Sequence, residues 1–597
     1  MKAERNIRQS QLIGPWGIGH IMDFPNDESL VIAGLDAWDA VYQSARGGVH
    51  EFIIKDARLQ RRLGVSHFRL PPDYRDRDSD QQNYGLEIPF IRFPLWHYCP
   101  WCGYMEKIGP YQPRRLQCTA PNYKNRRKCT GSFKTFMIPT RFIAVCENGH
   151  LHDFPYLRWV HGDQPVENNC KLRWMEGSTT ELADIWIRCI CGESRSMGQV
   201  FEKESLSNIE KCNGKRVWLG EIDGGSHPCN SDLIVLQKGA TNVYFTLTKS
   251  SIYLPDGMRM QEFGDVLRDN PNLTELINGK PDIEYISLIA GRNSIESDKL
   301  LAYIKQEIGI VDITDEDVEV EEINEDDFRI AEYEAIISGK SANRDDLSIK
   351  LAGIGEYNNL INDNFTNIRL VHRLKETRAF YGFSRAKYDP RDIPAKKKNL
   401  SIKSKNWLPA VWYRGEGIFL EFDDNKLKKW QSEKIVQERC IPVIQRYADF
   451  KVPEFELNAG FILIHSFAHM IINELIYQCG YGSSSLKERI YYKPGKMTGV
   501  LIYTASGNSE GSMGGLVRLG YPGKLEPVLT LALEKTGWCS SDPICISSEG
   551  QGPDSCNMAA CHNCLLLPET SCEFGNRLLD RAFICGHLEN GVKGYFH

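Results

Sequence analysis

The chain has 597 residues, 42% of them hydrophobic and 25% charged, with a formal net charge of -6 and a mean hydropathy of -0.39. That length supports several hydrophobic cores. The weak negative charge excludes a uniformly basic protein and leaves room for local basic patches. No run of about 18 apolar residues stands out, so a membrane-spanning helix is not expected. The opening MKAERNIRQS also lacks the apolar stretch of a secretory leader.

These features place the chain in the cytoplasm, where thiols stay reduced and disulfides are rare. Its nineteen cysteines are unevenly spread: ten fall between Cys99 and Cys229, seven between Cys539 and Cys585, and only Cys440 and Cys479 lie elsewhere. Small core hydrophobes would be scattered, whereas clustered thiols in a reducing compartment point to metal. The expected fold is a mixed α+β or α/β multidomain chain with several small zinc-ribbon-like modules. Five segments are expected: a mixed opening segment at 1–95, a cysteine-rich zinc-binding region at 96–235 and an α/β segment at 236–310. An acidic linker and basic helical region follows at 311–407, then a C-terminal domain at 408–597.

In chain order, LIGPWGIGHIMDF places Gly14, Gly17 and Gly19 in a pattern that suits either a phosphate cradle or, more simply, a turn. HYCPWCGY then begins the first ribbon. Cys99 and Cys102 form a knuckle, Cys118 and Cys129 return to close a tetrahedral zinc site, and the glycine after Cys102 suits a tight turn. Its returning arm carries Arg114, Arg115, Lys124, Arg126, Arg127 and Lys128, which fit either phosphate binding or a solvated loop. Cys189, Cys191, Cys212 and Cys229 read as a second ribbon. Cys146, His150, His152, His161 and Cys170 are less regular; His150 and His152 as caps of a turn before Pro155 are the simpler reading, and a mixed metal site is the alternative.

NVYFTLTKSSIYLP predicts a strand. VDITDEDVEVEEINEDDF packs ten acids into residues 312–327, read as a solvated linker or helix start, with nucleic-acid mimicry as the alternative. Opposite charge follows: Arg373, Lys375, Arg378, Arg385, Lys396, Lys397, Lys398, Lys403 and Lys405 alternate with Tyr381, Phe383, Trp407 and Trp412. Cations for phosphates and rings for bases suit single-stranded nucleic acid, with Arg373, Arg378, Arg385, Lys396, Lys397, Lys398 and Trp407 as the candidate contacts. Strand edges with snorkelling lysines give the same pattern.

GIFLEF predicts a strand and FILIHSFAHMIINELIYQCG a helix. His465 and His469 share a face of that helix, but Ser466 stands where a metalloprotease needs glutamate, so two satisfied core histidines are expected. A metal-dependent nuclease or hydrolase using His465, His469 and a nearby acid such as Glu474 is the alternative. GVLIYTASGNSEGSMGG reads as a buried strand entering a glycine-rich loop. Near the end, Cys561, Cys564 and Cys572 supply three thiolates of another zinc site. Cys539, Cys545 and Cys556 compete for the fourth place, with Cys545 favoured. Sulfur-rich sites with no open position are structural rather than catalytic, so about three structural zinc ions are expected.

No motor is visible. SGKS has Glu334 where a P-loop needs glycine, and no D-E-x-H box or H-x-K arrangement is present, so no enzyme is expected. The segment GWCSSDPICISSEGQGPDSCNMAACHNCLLLPETSCEFGNRLLDRA resembles a C-terminal domain carried by certain superfamily 2 DNA helicases. With HSFAHMIINEL, SSSLKERIYY, YRGEGIFLEF, RLKETRAFYGFSR, RQSQLIGPWGIGHIMDF and CENGHLHDFPYLRWVH, most of the chain resembles the DrmB family of the DISARM anti-phage system. That resemblance implies a non-motor partner of the DISARM helicase DrmA, forming a heterocomplex on DNA. It also implies a helicase-associated C-terminal domain with a four-cysteine zinc site at Cys561, Cys564, Cys572 and either Cys539 or Cys545.

Overall fold

The computed structural model describes residues 7–596 apart from 46–47, 75–84, 113, 121–128, 130–134, 163, 165, 167–168, 222–227, 255–265, 267–269, 275, 278–279, 294–296, 298–299, 302–303, 305–324, 340–345, 449–455, 505–513, 588 and 590. Lys124, Arg126, Arg127, Lys128, most of the acidic run, Lys340 and the glycine-rich loop after Thr504 lie outside the described residues. The fold is mixed α/β with several small sheets. It divides into two units, each built from two separate stretches: residues 1–251 with 377–412, and residues 252–376 with 413–597. Two long strands, Phe365–Ser384 and Trp407–Phe422, run from one unit into the other.

The first unit contains several small antiparallel sheets and a parallel pairing of His67–Arg69 with Trp407–Pro409. Met105–Lys107, Trp96–Tyr98 and Ile138–Pro139 form one; Leu151–Asp153, Phe142–Val145 and Ile234–Gln237 form a second; Leu172–Glu176, Ile185–Cys189 and Ser194–Ser196 form a third. Their strands are two to five residues long, so each sheet offers little apolar area of its own. An aromatic core of Phe142, Phe154, Tyr156, Trp159 and Trp174 joins two of them. The glycines at 17 and 19 pack against rings: a Cβ on Gly17 would lie 2.6 Å from the Tyr244 hydroxyl, and one on Gly19 2.8 Å from Phe383. The segment is a close-packed turn, with aromatic side chains where a phosphate would need space.

The second unit holds the largest core, centred on the helix Ala459–Cys479. The Asn458 side chain accepts from the Phe461 N–H at its start, and Gly480 ends it at φ 70°. The expected helix and the GVLIYT strand are both present, the latter as Met497–Thr504, buried along its whole length. That strand pairs with Leu486–Lys493 on one side and with Gly417–Glu421 on the other. By length and composition alone the helix could cross a membrane, but 89% of its most apolar window is buried inside the protein. Apolar on every side, it is a core helix.

The expected basic helical region is instead mainly strand. Phe365–Ser384 is rich in β-branched and aromatic residues, and only Ile393–Lys398 is helical. The end of the acidic run does start a helix, Glu325–Ser338, where Asp326 pairs with Lys493 and Glu325 with Arg329.

Candidate metal centres

In the first unit, the hairpin that pairs Tyr98 with Met105 turns through the knuckle Cys99–Cys102. Gly103 donates its N–H to the Cys99 carbonyl at 2.8 Å and adopts φ 69°; a Cβ there would lie 2.0 Å from the Trp174 carbonyl. Cys118 is held by its N–H to the Thr135 carbonyl, 3.1 Å away. The Cys99–Cys129 and Cys102–Cys118 sulfurs are 3.8 and 3.6 Å apart. A tetrahedral zinc with bonds of about 2.3 Å sets neighbouring sulfurs about 3.8 Å apart, whereas a disulfide would need about 2.05 Å. All nineteen cysteines are free thiols. The structure therefore brings together the four cysteines that the spacing selected here.

The neighbouring cysteines group differently from expectation. The turn Cys146–His150 closes the hairpin Phe142–Val145 with Leu151–Asp153, and Gly149 adopts φ 84° within it. His150 Nδ1 lies 3.3 Å from Cys146 Sγ and 3.5 Å from Cys212 Sγ, with Cys229 completing the cluster. A third cluster joins His161, Cys170, Cys189 and Cys191. His161, in the last turn of the helix Tyr156–His161, has Nδ1 2.8 Å from the Leu157 carbonyl, leaving Nε2 3.3 Å from Cys191 and 3.6 Å from Cys170. Cys189, Cys191, Cys212 and Cys229 thus do not form one ribbon. They divide between two Cys3His clusters, because each knuckle pairs with the strand turn or helix end beside it. His150, expected to cap a turn, and His161, expected in no ribbon, supply the nitrogens.

In the second unit, Cys539, Cys545, Cys561 and Cys564 converge. Sulfur separations are 3.5 Å for Cys539–Cys561, 3.8 Å for Cys545–Cys564 and 3.7 Å for Cys561–Cys564. Asp542 shapes the upstream loop by accepting the N–H groups of Cys539 and Ile546. Both competing cysteines, Cys539 and Cys545, belong to the quartet; Cys572 lies elsewhere and Cys556 is not among the four.

Sulfur crowding also tunes acidity. Donation from Cys212, then from His150, holds the Cys146 thiol down to about 4 against the effect of burial. Donation from Cys564 holds Cys545 down to about 5. These two clusters therefore each have a thiolate ready for a cation, and a thiolate is the form that binds metal. The residues fit tetrahedral zinc, with every position filled by protein and none left for water.

Residues 8–245 match a domain of unknown function (DUF8724), and residues 467–565 match the MrfA Zn-binding domain. Over 601 residues the chain is 32% identical to the DISARM protein DrmB of Bacillus paralicheniformis, spanning 96% of this chain and 99% of that relative. The chain belongs to the DrmB family. The zinc-binding match contains all four cysteines of the second unit's quartet and stops before Cys572, in agreement with the geometry.

The expected nucleic-acid contacts fall into two groups. Arg385 is fully buried and donates to the carbonyls of Gly19, Gly149 and Val243 at 2.6, 3.1 and 3.0 Å. Trp407 is 2% exposed, with the Arg69 guanidinium 4.3 Å from its ring and Tyr42 against its edge. Neither can meet a base or phosphate in this arrangement; both serve the interior of the first unit. Arg378 is buried too, and Lys397 Nζ is tied to the carbonyls of Leu63 and Gly64. Lys396 lies 3.5 Å from Asp389. Arg373 and Lys398 are exposed. The mixed charge of a long strand looks the same in sequence whether its cations face carbonyls or solvent. Arg385→Met is expected to destabilise the first unit by about 2–3 kcal/mol, because buried carbonyls lose their donor; urea unfolding followed by tryptophan fluorescence checks this.

Proposed function

We propose that this chain is a non-motor accessory subunit of a DNA helicase complex in DISARM anti-phage defence. It works in the cytoplasm, engages DNA and the helicase DrmA as a heterocomplex, and is held together by structural zinc. The observation that carries this reading is the 32% identity to DrmB over almost the whole of both chains. The four sulfur-rich clusters support structural zinc, since protein atoms supply every ligand and leave no place for a reacting water. Glu334 at the P-loop's first glycine position supports a motor supplied by the partner rather than by this chain. In this reading the chain has no catalytic site of its own, and its DNA contacts come from exposed cations such as Arg373 and Lys398.

The test is ATP hydrolysis by the partner helicase with and without this protein, at several DNA and salt concentrations. The reading requires stimulation or a changed DNA dependence, with no hydrolysis by this chain alone. DNA binding by the chain should weaken steeply as salt rises, as expected for phosphate contacts. No association with the helicase and no effect on its ATPase would refute it.

A further inference from the structure

A fifth set of ligand-type side chains lies in the second unit, apart from the cysteine quartet. His465 and His469 are one turn apart on the buried helix Ala459–Cys479, Glu488 is on the strand Leu486–Lys493, and Cys572 is in the C-terminal loop. One donor atom from each lies within 4.8 Å of all the others. His465 Nε2 is 2.9 Å from Glu488 Oε1 and 3.3 Å from Cys572 Sγ; His469 Nε2 is 3.5 Å from Glu488 Oε2. The histidines are 0% exposed, the glutamate 1% and the cysteine 9%.

We propose that His465, His469, Glu488 and Cys572 hold a divalent metal ion, zinc by their donor set, as a structural centre separate from the four-cysteine site. The zinc-binding match covers His469 and Glu488 but begins after His465 and ends before Cys572, so it does not contain the complete set.

The first support is orientation. His469 Nδ1 is 2.8 Å from the Leu565 carbonyl, which fixes that nitrogen as the protonated one and turns the Nε2 lone pair toward Glu488. Ligating imidazoles are oriented this way by their outer partners. His469 Nε2 and Glu488 Oε2 are both buried without a hydrogen-bond partner. Two unsatisfied polar atoms converging on one point call for a further group between them.

The second support is the environment of the sulfur. Cys572 Sγ accepts the backbone N–H groups of Phe574 and Asn576, each at 3.3 Å. Two sulfurs of the other clusters are served in the same way: Cys564 accepts from the Cys561 N–H at 3.2 Å and Cys212 from the Gly214 N–H at 3.4 Å. Amide donors stabilise a thiolate more than a neutral thiol.

The third support is charge. In the loaded state one carboxylate, one thiolate and two neutral imidazoles carry two negative charges, which a divalent cation balances. Neighbouring Arg489 is engaged with Glu332 and does not serve this purpose. In a tetrahedral zinc site, nitrogen and oxygen ligands at about 2.0–2.1 Å lie roughly 3.3–3.4 Å apart, and nitrogen and sulfur about 3.5 Å. The observed 2.9–3.5 Å separations bracket those values. A simple imidazolium–carboxylate pair between His465 and Glu488 would explain one contact and leave His469 Nε2 and the Cys572 sulfur, with its two amide donors, without a role. A bound ion would pin the central helix, a strand and the C-terminal loop at one point. Through Leu565, the residue after Cys564, it would also be joined to the four-cysteine site.

The experiment loads the full-length protein with cadmium-113 in place of zinc and combines cadmium NMR with native mass spectrometry. Cadmium resonances move upfield as nitrogen and oxygen replace sulfur. This set, with a single sulfur, should give one resonance upfield of those from the sulfur-rich clusters. Glu488→Gln and His469→Gln should each remove that resonance and one bound ion while the downfield signals and the near-UV circular dichroism persist. Cys545→Ser should remove a downfield resonance instead. Absence of the upfield resonance from the saturated wild-type protein would overturn the proposal, and so would its persistence in either folded variant.

Discussion

Removing metal from the full-length protein with a chelator at neutral pH is expected to strip amide protection from the zinc-ribbon hairpins of the first unit while the central helix of the second unit stays protected. The cluster around the first ribbon consists of Cys99, Cys102, Tyr104, Cys118, Ala120, Cys129 and Met137, so four of its seven buried residues are cysteines. The flanking strands Trp96–Tyr98 and Met105–Lys107 have three residues each and cannot hold themselves together in water. Structural zinc in small modules supplies about 10–16 kcal/mol of apparent binding free energy, all of it available to folding. The helix Ala459–Cys479 sits in a continuous apolar core that includes Phe461, Leu463, Phe467, Ile472, Val500 and Leu529, where each fully buried side chain contributes roughly 1.5–3 kcal/mol. Hydrogen exchange read by mass spectrometry distinguishes the two regions. Unchanged protection at residues 96–107 after complete metal removal would mean that the thiols are ordinary core residues.

Glu332→Ala is expected to destabilise the second unit by about 3–5 kcal/mol, among the largest effects of any single substitution. Glu332 is fully buried on the helix Glu325–Ser338. Its carboxylate accepts from Arg489 Nε at 2.6 Å, Arg489 Nη2 at 2.8 Å, the Tyr491 hydroxyl at 3.1 Å and the Ile252 N–H at 3.2 Å. Truncation leaves the buried Arg489 guanidinium without its main counter-charge, and that desolvation cost dominates. The double variant Glu332→Met with Arg489→Met should recover much of the loss, since apolar replacement of both partners removes the buried charge altogether. Urea unfolding of the two variants, compared at equal denaturant dependence, measures the difference. Equal destabilisation of single and double variants would place the effect in helix packing instead.

What the sequence revealed depended on how locally each feature is encoded. The first ribbon was legible because a C-x-x-C knuckle with a glycine behind it and a returning pair within thirty residues is nearly self-sufficient information. The buried helix at 459–479 and the buried strand at 497–504 were legible from apolar patterning and capping residues. Pairing between knuckles was not legible. Cys189 and Cys191 join His161 and Cys170, while Cys212 and Cys229 join Cys146 and His150; that choice is made by which strand turn faces which loop, a long-range property. Cys572 looked like a partner of Cys564 because only eight residues separate them. The chain between them carries Cys572 toward Glu488 instead, and the fourth sulfur comes from the loop Cys539–Cys545. The signal for His150 and His161 was present in their spacing from Cys146 and Cys170, but an isolated histidine near a turn has a simpler explanation in sequence alone. Burial of Arg385 and Trp407 was equally hidden, because charge alternating with rings describes a lined groove and a packed strand in the same letters.

The clustered thiols and histidines form four sulfur-rich groupings, each with the ligand set of a closed metal centre. Anomalous diffraction from crystals of the zinc-loaded full-length chain, collected on both sides of the zinc absorption edge, tests this assignment most directly. Peaks should appear within Cys99/Cys102/Cys118/Cys129, Cys146/His150/Cys212/Cys229, His161/Cys170/Cys189/Cys191 and Cys539/Cys545/Cys561/Cys564. No peak at these four positions, or one peak ligated jointly by Cys189, Cys191, Cys212 and Cys229, would contradict it.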